Sequence, residues 1–320
     1  MKLIIQIPCF NEAETLPLVF EKMPRSLPGI DVIEYQIIDD GSEDDTVRIA
    51  RTLGVQHIVR YRGHNRRWLG RAFKMGADHA LKMGADILVN TDGDNQYPSD
   101  QIGRLIAPIL ENRAEIVIGD RSPGEYKEFS PFKRFLQRLG SWTTQLAAGG
   151  HVPDAVSGFR AYSREALAML NVVTDYTYTV DTLMQAHKKG IDVAWVKINV
   201  NAKTRDSRLI ANLWSKIKKS GATILRMYTL YEPFKTFLYL SLVALLPGLF
   251  LIGRFLFHYL TDSGRSDGLV QSLLIGVALA IIGTQMMSLG IIADLIKVNR
   301  KLIEDILAKQ KLGDGKHDGD

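Results

Sequence analysis

Ile87-Leu88-Val89-Asn90-Thr91-Asp92-Gly93-Asp94-Asn95-Gln96-Tyr97-Pro98 is the stretch that decides how this chain folds. Its apolar start reads as a short buried strand, and the polar loop that follows carries Asp92 and Asp94. Gly93 lets the backbone turn between them and leaves room beside them. In extended backbone, residues i and i+2 lie on the same side. The spacing therefore aims both carboxylates at one point, with Gln96 two residues further on. Carboxylate and amide oxygens suit Mg2+ or Mn2+. A polar turn capping the next helix is the plainer reading of the same residues, and the rest of the chain has to separate the two.

Outward from this stretch the same design recurs. Lys2 to Phe10 reads as a buried strand, and Asn11-Glu12 follows it, with Asn11 placed to cap a helix. Glu34 to Asp40 is a second strand ending in Asp39-Asp40, after which Ser42 and Asp45 fit a capping box. Val55 to Tyr61 is a third strand. A helix from Leu69 to Lys82 stops at Gly84, and another runs from Ser99 or Asp100 to Asn112. Glu115 to Gly119 is a fifth strand, followed by Asp120-Arg121. Alternation of this kind predicts an α/β chain with a mostly parallel sheet between helices. Such sheets bind ligands outside the carboxyl ends of their strands, where all four polar clusters fall. Helix caps explain Asn11 and Ser42 but not two pairs of carboxylates.

The order IPCFNE, IIDDGSEDDT, NTDGDNQYP, VIGDR, DAVSGFRAYSREAL resembles the inverting family-two glycosyltransferases of the A-type nucleotide-diphospho-sugar fold. Within them it is most similar to the polyprenyl-phosphate glycosyltransferases, over residues 2 to 208. The resemblance implies that Pro8, Asn11 and Glu12 line a nucleotide pocket. Asp39 would accept a hydrogen bond from the base, with Asp40 near the ribose. Asp92, Asp94 and Gln96 would hold the divalent metal that bridges the diphosphate, with Asp94 essential to catalysis. Arg121 would face the acceptor phosphate, Asp154 would sit at the reaction centre, and Arg205 would contact the donor diphosphate. The chain departs from the family pattern at Cys9-Phe10, in the basic stretch from Gly63 to Gly70, and at Ser207-Arg208.

The chain has 320 residues, a formal net charge of +5 and one cysteine, Cys9, which excludes an intrachain disulfide. Cys9 lies in an apolar strand pattern and reads as a packed core thiol. No signal-peptide pattern precedes the first strand. Beyond residue 128 the character changes. Phe132, Phe135, Leu136 and Leu139 share a helical face opposite Lys133, Arg134 and Arg138, a pattern for a helix on a membrane surface or on the core. Between Ala202 and Lys235 eight basic residues meet two acidic ones, which suits an anchor on anionic lipid and not nucleic acid. Two apolar runs follow, Phe234 to Leu260 and Leu269 to Leu295, each longer than the ~20 residues that cross a bilayer. They predict a transmembrane hairpin. Lys235, Lys297, Arg300 and Lys301 at its outer ends place both termini and the catalytic part in the cytoplasm, on a plasma membrane. Gly276, Gly283 and Gly290 recur every seven residues, and Gly276, Ala280, Thr284 and Ser288 make a small-residue stripe for close packing within the hairpin or between copies in a homo-oligomer. The organisation expected is a catalytic domain over 1–207, juxtamembrane helices over 208–233, a hairpin over 234–296 and a charged tail over 297–320, a short helix from Asn299 with a disordered end.

The chemistry implied by the resemblance moves a hexose from a nucleotide-sugar donor, UDP- or GDP-linked, to an undecaprenyl or dolichyl phosphate held among membrane lipids. Arg121 with Arg134 or Arg138 would orient the acceptor phosphate. That phosphate is already an anion, so a strong base is unnecessary; if one acts, Asp154 is the candidate. Another lipid or glycan acceptor, or a non-enzymatic membrane scaffold that kept the fold, are the other readings.

Overall fold

The computed structural model describes residues 1–60, 69–121, 152–172, 178–201, 229, 232–261 and 269–314. The expected surface helices at 129–139 and 208–231, and with them Arg134, Arg138 and Arg205, lie outside the described residues. The chain forms two compact units, Met1–Ser220 with Glu304–Asp320, and Gly221–Ile303.

The first unit is built on a seven-stranded sheet of β1 (Lys2–Cys9), β2 (Val32–Asp39), β3 (His57–Arg60), β4 (Ile87–Asn90), β5 (Ile116–Asp120), β6 (Arg160–Ser163) and β7 (Val193–Lys197) in the order β3-β2-β1-β4-β6-β5-β7. Every pairing is parallel except those of β6, which runs antiparallel to both β4 and β5. The sheet is covered on both faces, which is why β1 reads as almost unbroken apolar sequence. Leu3, Ile5, Ile7 and Cys9 join one core with α1 (Leu16–Glu21) and α4 (Ile102–Leu110). Ile4, Leu88 and Ile118 join the other with α3 (Leu69–Lys82), α5 (Arg164–Met169) and α6 (Thr179–Lys189). Cys9 is the buried core thiol its pattern suggests.

Two local expectations are corrected. Asn11 caps no helix: α1 begins at Leu16, and Asn11 takes a left-handed φ of 56° in a turn that bonds to Ser42 and Glu43. Ser42 and Asp45 form no capping box. Helix α2 (Thr46–Thr52) has no side-chain cap from Asp45, and Asp44 Oδ1 accepts from Thr46 N instead. Ser42 N donates to Asp39 Oδ1 at 2.9 Å. Both residues serve the sheet edge, not a helix end.

The face toward α3 carries a polar row the strand patterns conceal. His57, Gln36, Gln6, Asn90 and Arg160 are register partners across β3, β2, β1, β4 and β6. Gln6, Gln36, Asn90 and Arg160 are fully buried. Their amides are satisfied one by another. His79 Nδ1 lies 2.7 Å from Gln36 Oε1, Gln36 Nε2 donates to Gln6 Oε1 at 3.1 Å, and Gln6 Nε2 donates to Asn90 Oδ1 at 3.0 Å. Helix α3 comes close enough for Gln36 Nε2 to donate to Gly76 O at 2.9 Å. A Cβ at Gly76 would stand 2.1 Å from Gln6 Oε1, so only glycine fits there.

The second unit holds most of two long helices, α7 (Pro233–Thr261) and α8 (Val270–Asp314). Both are long and apolar enough to cross a membrane, and little of either apolar stretch is buried. Val243, Phe250 and Leu260 are each at least 70% exposed. The glycines recurring every seven residues are used inside this unit: Gly276 meets Gly248 and Ile252, Gly283 meets Leu245, and Gly290 meets Phe237. The tail after Asn299 is not a separate short helix but the unbroken end of α8. Its last turns belong to the first unit, where Glu304 pairs with Lys189 at 2.9 Å, Lys311 pairs with Asp78 at 2.7 Å and Leu312 packs on the core.

Candidate active site

Five chain segments meet at the carboxyl edge of the parallel strands. β1 runs out into Asn11-Glu12, β2 ends at Asp39, β4 leads into Asp92 and Asp94, and β5 leads into Arg121. The antiparallel β6 begins at that same edge, because Arg160 is paired with Asn90. The loop before it therefore brings Asp154 and Gly158 alongside the others.

Hydrogen bonds tie the first three segments together. Asp40 N donates to Cys9 O at 3.0 Å, joining the ends of β1 and β2. Glu12 N donates to Thr46 Oγ1 at 2.8 Å. The Thr15 hydroxyl lies 2.7 Å from both Gly93 O and Glu12 Oε2, and its one hydrogen serves either. Gly93 is confined between Pro8, Cys9 and Glu12; an added Cβ would lie 3.3 Å from both Cys9 Sγ and Glu12 Cγ. Asp39 is wholly buried, with Oδ1 held by Ser42 N. Its Oδ2 pairs with the Arg60 charge at 2.9 Å but takes no aligned hydrogen bond. An acceptor buried in that state has capacity for a donor such as a base N–H.

Burial and the neighbouring Asp94 charge push Asp92 up to about 7, with Glu12 adding and Arg121 opposing. Two carboxylates so close cannot both keep their charge cheaply without a cation. Asp94 Oδ1 accepts from Gln96 N at 3.1 Å. The loop beyond it is held by Asn95, at a left-handed φ of 60°, and by Asn201, which bonds to Asn95 O and Gln96 O. Among the described residues no group of three or more His, Cys, Asp or Glu could cage a metal unaided. A divalent ion at Asp92, Asp94 and Gln96 would thus need further oxygens from a substrate, as Mg2+ and Mn2+ at diphosphates ordinarily do. The donor set fits that use.

Arg121 and Asp154, expected in separate roles, are partners. Arg121 Nε donates to Asp154 Oδ2 at 2.6 Å and Nη2 to Oδ1 at 2.9 Å, a bidentate pair with Asp154 almost fully buried. Burial opposes the Arg121 charge most strongly, but the Asp154 hydrogen bonds together with the charges of Tyr97, Asp154 and Asp92 raise the guanidinium pKa further. Its Cζ stands 5.9 Å over the Tyr97 ring. Both Asp154 oxygens are occupied, which suits holding Arg121 better than taking a proton.

Sequence reasoning missed the residues around Gly158. Gly158 N donates to Tyr97 OH at 2.9 Å, and Gly158 O accepts from Asn90 Nδ2 at 3.0 Å and from Tyr178 OH at 3.1 Å. A Cβ at Gly158 would lie 3.1 and 3.2 Å from the two Asp92 oxygens. The glycine is what lets this loop close on that carboxylate. The one available signal was a pair of glutamines, Gln6 and Gln36, inside otherwise apolar strands.

Comparison with known proteins fits this geometry. The chain is 28% identical over 204 residues to the polyprenol monophosphomannose synthase of Mycolicibacterium smegmatis, covering 61% of this chain and 76% of the relative. It is 29% identical over 212 residues to the UDP-N-acetylglucosamine--dolichyl-phosphate N-acetylglucosaminyltransferase of Methanococcus voltae, covering 60% and 82%. Among solved structures, glucosyl-3-phosphoglycerate synthase from Mycobacterium tuberculosis, in complex with Mn2+, UDP-glucose and phosphoglyceric acid, superposes with a TM-score of 0.55 at 24% identity. That match covers 71% of this chain and 79% of the other, and it establishes the A-type nucleotide-sugar fold. The glycosyl transferase family 2 profile matches residues 4–170, more than half of the 320, so the chain belongs to that family and is a glycosyltransferase.

Proposed function

We propose that this glycosyltransferase moves a hexose from a UDP- or GDP-linked donor to a polyprenyl phosphate at a membrane, with inversion at the anomeric carbon. The observation that carries the reading is one chain joining a carboxylate-lined sheet edge to two helices whose apolar side chains stay exposed. A soluble acceptor gives no reason for such helices, whereas a polyprenyl phosphate keeps its tail in lipid and its phosphate at the interface. The names of both relatives include a polyprenol or dolichyl phosphate.

In this reading Asp39 takes the base through Oδ2, which pairs with Arg60 but has capacity for a further donor, with Pro8, Asn11, Glu12 and Asp40 around the nucleoside. Asp92, Asp94 and Gln96 would hold Mg2+ or Mn2+, which when bound supplies positive charge against the leaving diphosphate. Arg121 orients the acceptor phosphate as a fixed cation. Asp154 acts through Arg121, holding its fork in one orientation. The acceptor is already ionised near neutral pH, so no side chain has to deprotonate it. Arg205, Arg134 and Arg138 remain candidates for further phosphate contacts. The catalytic part and both termini would lie on the cytoplasmic side, with 208–233 at the lipid surface and the spans within 234–296.

Purified full-length chain in detergent, given Mn2+, a panel of nucleotide sugars, and undecaprenyl or dolichyl phosphate, should yield a glycolipid visible by mass spectrometry. A chain that binds nucleotide yet gives no product with either lipid would overturn the acceptor assignment. Product with diacylglycerol or a glycan would replace it.

A further inference from the structure

Arg160 and Asn90 face one another across the antiparallel β4–β6 pair, both fully buried. Both spend their side chains on the loop that closes the site. Arg160 donates from Nε to Ser157 O at 2.8 Å and from Nη2 to Ala155 O at 2.9 Å. Its Nη1 donates to Thr179 O at 2.8 Å and Thr182 Oγ1 at 3.0 Å, at the start of α6. Asn90 Nδ2 donates to Gly158 O at 3.0 Å and to Tyr178 OH at 2.8 Å. The carbonyls of residues 155, 157 and 158 are thus all bound from beneath by two strand side chains.

The orientation of Asn90 is itself imposed. Gln6 Nε2 donates to its oxygen, and Gln6 in turn accepts from Gln36. A flipped Asn90 amide would set oxygen against Gly158 O and nitrogen against the Gln6 donor. Arg160 cannot be replaced by a single-point cation, because its four bonds leave a rigid planar fork in several directions. A buried guanidinium is an expensive way to tie a loop, unless the position of that loop matters. What it positions is Gly158 against both Asp92 oxygens, and Asp154 against Arg121.

We propose that Arg160 and Asn90 are positioning residues for the transfer reaction, holding loop 154–158 where Gly158 closes over Asp92 and Asp154 grips Arg121. The proposal rests on Asp92 being a metal ligand, as in the function proposed above.

The test is calorimetry on the full-length chain in detergent, measuring UDP or GDP affinity with and without Mn2+. Wild type should gain affinity when Mn2+ is added. Arg160→Lys should lose about ten-fold or more of that gain, the usual scale for groups that orient a metal ligand. Its metal-free nucleotide affinity should be unchanged, because Asp39 and its neighbours lie on other strands. Tyr178→Phe removes one hydroxyl and keeps the ring stacked on Phe73 at 4.2 Å. It should show a smaller loss of the same kind, and Asn90→Ser, which removes the amide donor to Gly158 O, decides the matter if Arg160→Lys does not fold. A folded Arg160→Lys or Asn90→Ser that keeps the whole Mn2+ gain overturns the proposal. So does an equal fall in metal-free and metal-dependent binding, which would mark a merely structural role. No Mn2+ gain in wild type would instead overturn the metal assignment beneath it.

Discussion

Gly158→Ala adds one methyl group at the point where the site has least room. The φ of Gly158 lies outside the left-handed region, so its backbone accepts an L side chain. The new Cβ would sit 3.1 and 3.2 Å from the Asp92 oxygens and 3.3 Å from Tyr178 OH. Those contacts are a few tenths of an ångström too short, so something has to move. Gly158 is bonded at both ends, through N to Tyr97 and through O to Asn90 and Tyr178. The Asp92 carboxylate is the partner that yields. Overpacking by one methyl costs the fold about 1–3 kcal/mol at most. Displacing a proposed metal ligand costs more in rate than in stability, since a 1 Å misplacement can lose about a hundred-fold. For a shift of some tenths, turnover should fall about ten-fold or more, with Mn2+-dependent nucleotide affinity falling beside it.

Gly84→Ala is the control, because it reverses both conditions. Gly84 has a φ of +76° and nothing within 4 Å of an added Cβ. A left-handed alanine costs roughly 1–2 kcal/mol, read as a melting temperature lower by a few degrees. Glycolipid formation should be untouched once the protein is folded. The assay is product formation at saturating donor together with thermal unfolding of each variant. Full turnover in folded Gly158→Ala, or lost turnover in folded Gly84→Ala, would refute the reasoning that Gly158 acts on Asp92.

Four further outcomes are expected. Asp94→Ala should abolish turnover and leave the melting temperature unchanged; retained turnover would remove its metal role. Asp154→Ala strands the partly buried Arg121 charge and should cost up to about 3 kcal/mol in denaturant titration, so a cost near zero would mean the pair holds nothing. Burial, with the His57 and Lys82 charges, lowers the His79 pKa, so the unfolded chain binds a proton near 6.5 that the folded chain refuses. The His79 contribution to stability should therefore fall as pH drops below about 6.5 until its folded pKa is reached, against the opposite slope of Asp92, whose raised pKa makes the folded chain the better proton binder; the stability difference between wild type and His79→Gln isolates the histidine, and no pH dependence in that difference would refute it. In the hairpin, an added Cβ at Gly283 would stand 2.9 Å from Leu245 Cβ and 3.0 Å from its backbone N, while Gly253 has open space. Gly283→Ala should lower detergent-phase thermal stability by about 1–3 kcal/mol and Gly253→Ala should not; equal effects would refute the packing.

How far the sequence could be read followed from where burial is local. The first five strands are apolar runs between turn residues, and they form with ends moved by a few residues. The carboxylates at Asp39, Asp92 and Asp94 were legible because each follows such a run. β6 was not, since Arg160-Ala161-Tyr162-Ser163 has no apolar pattern, and it is buried by the hydrogen bonds that satisfy it. The polar row across Gln36, Gln6, Asn90 and Arg160 is a property of register, joining residues 30 to 84 positions apart. Asn11 and Ser42 were misread for the converse reason. Their cap-forming propensity is real, but contacts between two strand ends recruit it. Asp154 and Arg121 were each placed at the reaction, yet nothing in their separate motifs announces a bidentate pair.

The one reversed strand is what makes these parts into a site. In a wholly parallel sheet each strand contributes only the segment that leaves its carboxyl end, so the edge between β4 and β5 would offer Asp92, Asp94 and Arg121 alone. Because β6 is inserted there antiparallel, the segment entering it arrives at the same edge and adds Asp154 and Gly158. The reversal also sets Arg160 opposite Asn90 at the mouth of the loop. Both ends of the 154–158 segment then have rigid references: Asp154 is on Arg121 from β5, and Gly158 is on Asn90 from β4. A site that must hold Asp92 near a second carboxylate needs that rigidity, because the repulsion between them favours their moving apart. The sheet supplies it through backbone pairing, and the buried polar row carries it from strand to strand to the Gly158 carbonyl.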